Sequence, residues 1–533
     1  MRKNLLVMAL LSLPLLASAQ YTFDALQLSQ TELRGTSRFT SMAGAFGALG
    51  GDLSSINQNP AGVGVYRSND VSITLGPEFN GTKTANDSRQ SETKFNVNNV
   101  GFVGSTKLNN DVLLNLNWGF SYNRINSFNR RYRGVASAIP TSITNYIADQ
   151  TMFDGMTSAD LDPVSGNPFY DGDARWNQIL AYRSYLILPT SDINNYTQSF
   201  TGLGVDGTYG AAEFEVQEWG HTDEYSFALG GNIANTMYWG MALGVTELSY
   251  EYNKYYGESL TNTVVYDAAD DPDAQLVDGN ADFGIVDWSR TTGTGVNFKL
   301  GVILKPVNEL RLGFAFHTPT LYEMKDTYQS VVRASFSGDN LIDGGYQLAD
   351  EYTPDYQSNW YDIRTPWRFI GSIAGVIGSK GIISADYEYT GNGTIRICDE
   401  NNNEYLDATT EIKDYLQPSH TVRLGAEYRV SPDVSLRAGY SYQTSPVKDD
   451  VKDDKVAVNV TGCNTAYTYD RDIQHITAGV GYHHKNFYCD LAYVYQARNM
   501  TYTAFPIDDL GKTVKWDVDA DNHRLSATLG FRF

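Results

Sequence analysis

The chain has 533 residues, with 62 acidic against 40 basic side chains and a formal charge of −22, and its mean hydropathy is −0.35. A chain so short of Lys and Arg is poorly suited to neutralising phosphates, which argues against nucleic acid as a partner, and no stretch offers the roughly 18 uninterrupted apolar residues of a membrane helix. The 37 Tyr and 48 Gly are many for a soluble enzyme and suit a β-barrel with aromatic girdles and a crowded lumen.

At the start of the chain, Arg2 and Lys3 precede an apolar stretch from Leu5 to Leu16 and the small residues Ala17-Ser18-Ala19. This pattern predicts a secretory signal peptide over 1–19. Residues 20–70 then lack alternation. They hold Arg34, Arg38, a Gly- and Ala-rich run from Met42 to Gly51, Asp52, and Asn59-Pro60-Ala61-Gly62. Such small residues allow the close backbone packing of a plug inside a lumen.

From residue 71 the chain alternates with period two, as strands do when one face meets lipid and the other a polar interior. Val71 to Asn80 reads as the first strand. Leu114, Leu116, Trp118, Phe120 and Tyr122 then occupy one phase, against Asn115, Asn117, Gly119, Ser121 and Asn123 on the other. Val296, Phe298, Leu300, Val302 and Leu304 repeat the pattern against Asn297, Lys299 and Gly301, so Trp118 and Phe298 are expected toward lipid and Asn117 and Asn297 toward the lumen. Tight turns are expected at Asn109-Asn110, Ala234-Asn235, Lys305 to Asn308, Ser379-Lys380, Ser431-Pro432 and His484-Lys485. With a last run from Leu525 to Phe533, the count reaches about fourteen strands.

The fold expected is therefore all-β: a transmembrane antiparallel barrel over 71–533 with the 20–70 plug in its lumen. Its long loops, at 82–94, 126–222, 253–289, 321–365, 392–418, 445–471 and 499–520, are expected on the extracellular side. Short helices are expected near Ile143 to Met156 and Arg175 to Leu188. A soluble β-sandwich also alternates, but the strand lengths and the two classes of connection favour the barrel.

The Gly- and Ala-rich run, the acidic residue after it and Asn59-Pro60-Ala61-Gly62 resemble the N-terminal hatch of the FadL/TodX family of outer-membrane transporters for long-chain fatty acids and aromatic hydrocarbons. The resemblance implies passive uptake of a hydrophobic small molecule, with Asn59, Pro60, Ala61 and Gly62 helping to close the barrel. It also implies sideways release into the membrane near the third strand, here Asp111 to Ile125, where Gly119 is the obvious weak point. It carries over no ligand-binding residues from the barrel wall. A monomer among outer-membrane lipids, without cofactor and without catalysis, is the expected state. A non-specific porin, an adhesin or a structural barrel remains the alternative.

Other patterns are weaker. Gly202 to Gly207 matches G-x-G-x-x-G but sits in an expected loop, and no G-x-S-x-G is present. Asp399, Asn401 and Asn403 begin like a calcium loop, yet Glu404 and Thr410 stand where Gly and Glu are needed. The acidic run Asp267, Asp270, Asp271 and Asp273 reads as a solvated loop, and no metal site is expected. His475, on the lumen phase, and His483-His484 keep a haem-binding receptor open. Cys398 and Cys463 fall in successive outer loops and could form a disulfide, with Cys489 free on the lipid phase.

Overall fold

The computed structural model describes residues 22–533 except 88, 190–195, 199–208, 268–274, 342–345, 355–356, 379, 461–462 and 509–510. The expected signal peptide, the 202–207 glycine match and Asp270, Asp271 and Asp273 lie outside the described residues. Fourteen strands form a closed antiparallel barrel. In chain order they are β1 Asp70–Thr84, β2 Gln90–Lys107, β3 Leu113–Ser127, β4 Tyr209–Ile233, β5 Met237–Tyr266 and β6 Leu276–Val307. Then come β7, in two parts Leu310–His317 and Leu321–Ser337, and β8, in two parts Gln357–Arg364 and Arg368–Ile377. The set is completed by β9 Gly381–Thr390, β10 Ser419–Arg429, β11 Val434–Gln443, β12 Tyr467–His484, β13 Phe487–Thr503 and β14 Lys515–Arg532. β14 pairs with β1 from Asp70↔Arg532 to Thr84↔Val518, which removes both sheet edges there.

The breaks in β7 and β8 have one cause. Pro319 and Pro366 have no N–H to donate to the ladder, and they fall side by side, where Thr320 and Thr365 exchange hydrogen bonds instead. Between β4 and β5, Ala234 and Asn235 both take positive φ, 50° and 56°, in a three-residue connection closed by the Thr236 N–H donating to the Ile233 carbonyl at 3.0 Å.

The alternation sorts as its residue types dictate. Trp118, Phe227, Leu243, Val296, Phe314, Ile373, Leu424, Ile476, Leu491 and Leu529 are exposed on the outer face, forming an apolar belt of the kind that lipid covers. Asn117 and Asn297 are buried on the inner face. Helices occur at Ile143–Phe153 and Trp176–Arg183. One expectation is corrected: much of 253–289 and 321–365 is strand, because β5 and β6 run for 30 and 32 residues and the second part of β7 adds 17 more, where about 9–11 cross a membrane. Above Val245 the outer phase turns to Glu247, Ser249, Glu251 and Asn253, so the apolar signal fades while the backbone ladder continues.

Inside the barrel lies the N-terminal plug. Its elements are α1 Thr22–Ser29, α2 Ser37–Ser41, α3 Ser55–Gln58 and a 3-10 turn over Pro60–Val65. Its small residues meet wall glycines. A Cβ on Gly240 would stand 2.1 Å from the Pro60 carbonyl, one on Gly313 2.1 Å from that of Gly47, and one on Gly425 2.7 Å from that of Met42. Lumen-facing glycines on separate strands thus form a belt against which plug backbone rests directly, closer than any side chain permits.

Candidate functional site

The Asn59 motif is built into this contact. Pro60 starts the 3-10 turn, where its missing N–H costs nothing. Asn59 Oδ1 accepts from the Ala61 N–H at 3.1 Å, while Nδ2 donates to the Gly47 carbonyl at 2.6 Å and to that of Val302 in β6 at 3.4 Å. One side chain therefore caps the turn, ties it to the Gly-rich run and ties both to the wall. Gly62 packs against Ser55 and Gly50.

Ion pairs supply the rest of the docking. Arg34 Nη2 donates to both carboxylate oxygens of Glu78 in β1, at 2.7 and 2.8 Å, and Nε donates to Glu32 at 2.7 Å. Glu32 also faces Arg498 and Arg524 at 3.6 and 3.8 Å. Burial would raise its pKa, but Arg34, Arg524 and Arg498 together outweigh that and bring it to about 2. Arg38 pairs with Glu427 at 3.0 Å. Burial raises the pKa of Asp52, which accepts from Thr36 Oγ1 at 2.7 Å.

Between plug and wall is a cavity of about 120 Å³. Leu33, Phe39 and Gln58 face it from the plug, and Glu224, Lys299, His317, Arg368, Arg423, His475 and Arg498 from the wall. The lining charges are paired: Lys299 with Glu224, and Arg368 and Arg423 with Glu388 behind them, at 2.6 and 2.8 Å. Asn57 Nδ2, Asn297 Oδ1, His317 Nδ1 and His475 Nε2 are buried without a hydrogen-bond partner among the described residues. His475 Nδ1 is 2.9 Å from the Ser441 hydroxyl.

The cavity reaches the wall at Asn123, Arg124 and Ile125, where the wall is incomplete. The β2–β3 ladder starts at Lys107↔Asn115 and ends at Asn99↔Asn123. Beyond it, Asn98 is skipped at a bulge and residues 90–97 of β2 pair with β1 alone, and β3 shifts register against β4 between Arg124 and Asn126. The following strand, Arg130–Ala136, lies against the inner face of β1, where Asn80 and Thr84 donate to the carbonyls of Asn129 and Arg133 at 2.7 and 2.8 Å. The resulting seam is spanned by side chains, Arg124 to Asn96 at 2.9 Å and Lys94 to Asn129 at 3.1 Å. The plug closes it from inside: the Glu32 N–H donates to the Ile125 carbonyl at 2.8 Å, and Asn126 Nδ2 to that of Gln30 at 3.2 Å. Gly119, the expected weak point, sits in the intact ladder opposite Val103; the break lies further along β3.

One sequence expectation about the cysteines is corrected. Cys398 and Cys463 are free, so the expected bridge is not formed, and Cys489 is free as well. Cys398 is held in a short strand opposite Asp362, whereas Cys463 faces the interior beside Asp287 and Ser330. The Asp399 carboxylate is already engaged by the Asn401 and Asn403 N–H groups and the Asn403 amide, a local Asx arrangement. Lumen-phase charges such as Glu224, Arg368 and Arg423 were visible in the alternation, but not that they share one level of the barrel.

Residues 279–533 match the model of a family described as outer membrane protein transport protein (OMPP1/FadL/TodX). A comparison with curated proteins finds no match. Among solved structures, a FadL homologue from Pseudomonas aeruginosa is similar at 13% identity and a TM-score of 0.52, over 94% of this chain and 99% of that one. The toluene transporter TodX of P. putida is 12% identical with a TM-score of 0.47, over 94% and 99%. The first likeness bears on the fold alone, while the matched segment runs from within β6 through β14 and includes Arg368, Arg423, His475 and Arg498 of the cavity. By that match the second half of the chain, residues 279–533, is similar to the OMPP1/FadL/TodX family of outer membrane transport proteins.

Proposed function

We propose that the protein passes small hydrophobic molecules passively across an outer membrane, with residues 1–19 as its export signal and its long-loop end facing outward. The observation that carries this reading is the conjunction of the seam with the cavity: Asn123, Arg124 and Ile125 border both. A solute leaving through the seam enters lipid directly. An apolar chain that left into water instead would lose about 0.8 kcal/mol per CH₂.

Capture belongs to the loop end, where a large apolar cluster surrounds α1. Phe23 stacks on Tyr467 with ring centroids 4.8 Å apart and lies parallel to Tyr415 at 6.4 Å. An incoming apolar ligand competes with α1 for these surfaces. Once α1 shifts, the adjoining Gln30 to Arg34 segment moves off Ile125 and Asn126, and the seam opens. Asn59, Pro60, Ala61 and Gly62 keep the remainder of the plug seated.

The cavity also bears on cargo. Its arginines and its unpartnered histidine, asparagine and amide groups favour an amphipathic molecule with a polar or anionic end over a neutral hydrocarbon, because buried polar atoms reward a hydrogen-bonding ligand. To test the route, Lys94→Cys and Asn129→Cys are joined across the seam by a reducible thiol-specific linker. Uptake of labelled oleate into vesicles should fall on linking and return on reduction. Unchanged uptake in the linked protein refutes lateral passage, and faster uptake of toluene than of oleate refutes the assignment of cargo.

A further inference from the structure

On the outer face of the elongated β5–β6 sheet, well above the apolar belt, lies a groove of about 640 Å³. Its floor is a pair of glycines, Gly257 and Gly284, directly opposite each other in the ladder. The ring of Tyr255 lies across both: a Cβ on Gly257 would stand 2.3 Å from its hydroxyl, and one on Gly284 2.7 Å from its ring edge. A side chain at either position would lift the ring, so the glycines set it flat on the sheet.

Around this ring stand exposed carboxylates, Glu213, Asp282 and Asp350, with one cation, Arg333. Glu213 hydrogen-bonds Tyr255. Arg333 is 3.9 Å from Asp350 and hydrogen-bonds Tyr352. A flat aromatic face beside carboxylates that only accept hydrogen bonds matches a molecule with one apolar CH face and several hydroxyl donors. Three carboxylates against one guanidinium repel phosphate and favour a neutral sugar.

Position selects the source of that sugar. Val245 ends the unbroken apolar run on the outward phase of β5, before Glu247 and Ser249, and Gly257 lies about 40 Å further along the strand at roughly 3.3 Å per residue, or about 30 Å in height for a tilt near 40°. The groove opens sideways, on the same strand face that meets lipid lower down, not toward the barrel mouth. We propose that it seats the neutral saccharide of glycolipids standing beside the barrel in the outer leaflet. This rests on the outer-membrane reading and is independent of cargo and of the seam.

The test titrates the purified full-length protein in micelles with the phosphate-free oligosaccharide cleaved from the host's outer-leaflet glycolipid, by calorimetry and saturation-transfer NMR. Wild type should bind saturably, Tyr255→Ala should weaken binding about tenfold, and Tyr255→Phe should stay close to wild type. Gly284→Val, which displaces the ring from the opposite strand, should weaken it as much as Tyr255→Ala. Heat-modifiable gel mobility checks that each variant is a folded barrel, and Tyr255→Phe keeps the test valid if Gly284→Val is not. Absence of saturable binding by wild type, equal affinity in Tyr255→Ala, or equally tight binding of a malto-oligosaccharide of the same length overturns the proposal. Oleate uptake should be unchanged in Tyr255→Ala, so failure here is distinguishable from failure of the transport reading.

Discussion

At the residue scale, the plug is held by a few polar side chains whose loss has separable effects. Asn59→Ala removes the contacts to Ala61, Gly47 and Val302, and at about 1 kcal/mol per net hydrogen bond the plug should loosen by about 1–3 kcal/mol. The barrel, closed by its own ladders, should keep its heat-modifiable mobility while a hydrophilic antibiotic enters faster; unchanged permeability at equal surface abundance refutes a gating role for Asn59. Arg34→Gln is expected to be harsher. It leaves Glu78 buried without its bidentate partner, a defect worth about 3–5 kcal/mol, read as protease sensitivity of the plug in intact barrels. Asn117 illustrates what a residue's phase does and does not say. Its inward direction follows from alternation with Trp118, which suggests tolerance of polar substitutions. Its amide, however, donates to the carbonyls of Val63 and Tyr66 at 2.8 Å each, so Asn117→Ser should weaken the plug despite being polar.

At the scale of elements, the plug and β3 carry the mechanism. Because Glu32 titrates near 2 rather than the usual 4.5, it binds fewer protons in the docked state than in the free one. Docking is therefore strengthened in full above about pH 4.5, and this contribution is lost as pH falls from about 4.5 toward 2. A nitroxide spin label attached at Gln30→Cys should report release in that window with Glu32 present and not with Glu32→Gln; a pH-independent signal in both would show that Glu32 does not fasten the segment. For β3, Trp118→Arg places charge on the lipid face and should cost about 2–4 kcal/mol of folding stability in lipid, measured by urea titration in vesicles. A milder effect from Trp118→Arg than from Asn117→Arg would reverse the assigned faces.

At the scale of the whole molecule, deletion of 20–69 should leave a folded barrel that conducts small ions, since no strand of the wall begins before Asp70; a non-conducting barrel would show that the loops alone seal it. The sequence by itself determined the barrel, its strand number, its short turns and the presence of an internal plug. Each rests on local rules: a two-residue period, turn chemistry at Ala234-Asn235, and small residues where backbone must approach backbone. Loop lengths were misread because Glu247, Ser249 and Glu251 end the apolar phase without ending the strand. The disulfide was misread because loop order says nothing about which way Cys398 and Cys463 face. Only the tertiary structure decided that Arg34 meets Glu78, that charges from β4 to β13 share one level, and that the ladder stops at Asn99 and Asn123. Those facts depend on strand stagger and on how the plug is threaded, and both are sums of contacts between residues hundreds of positions apart that leave no periodic trace in the chain.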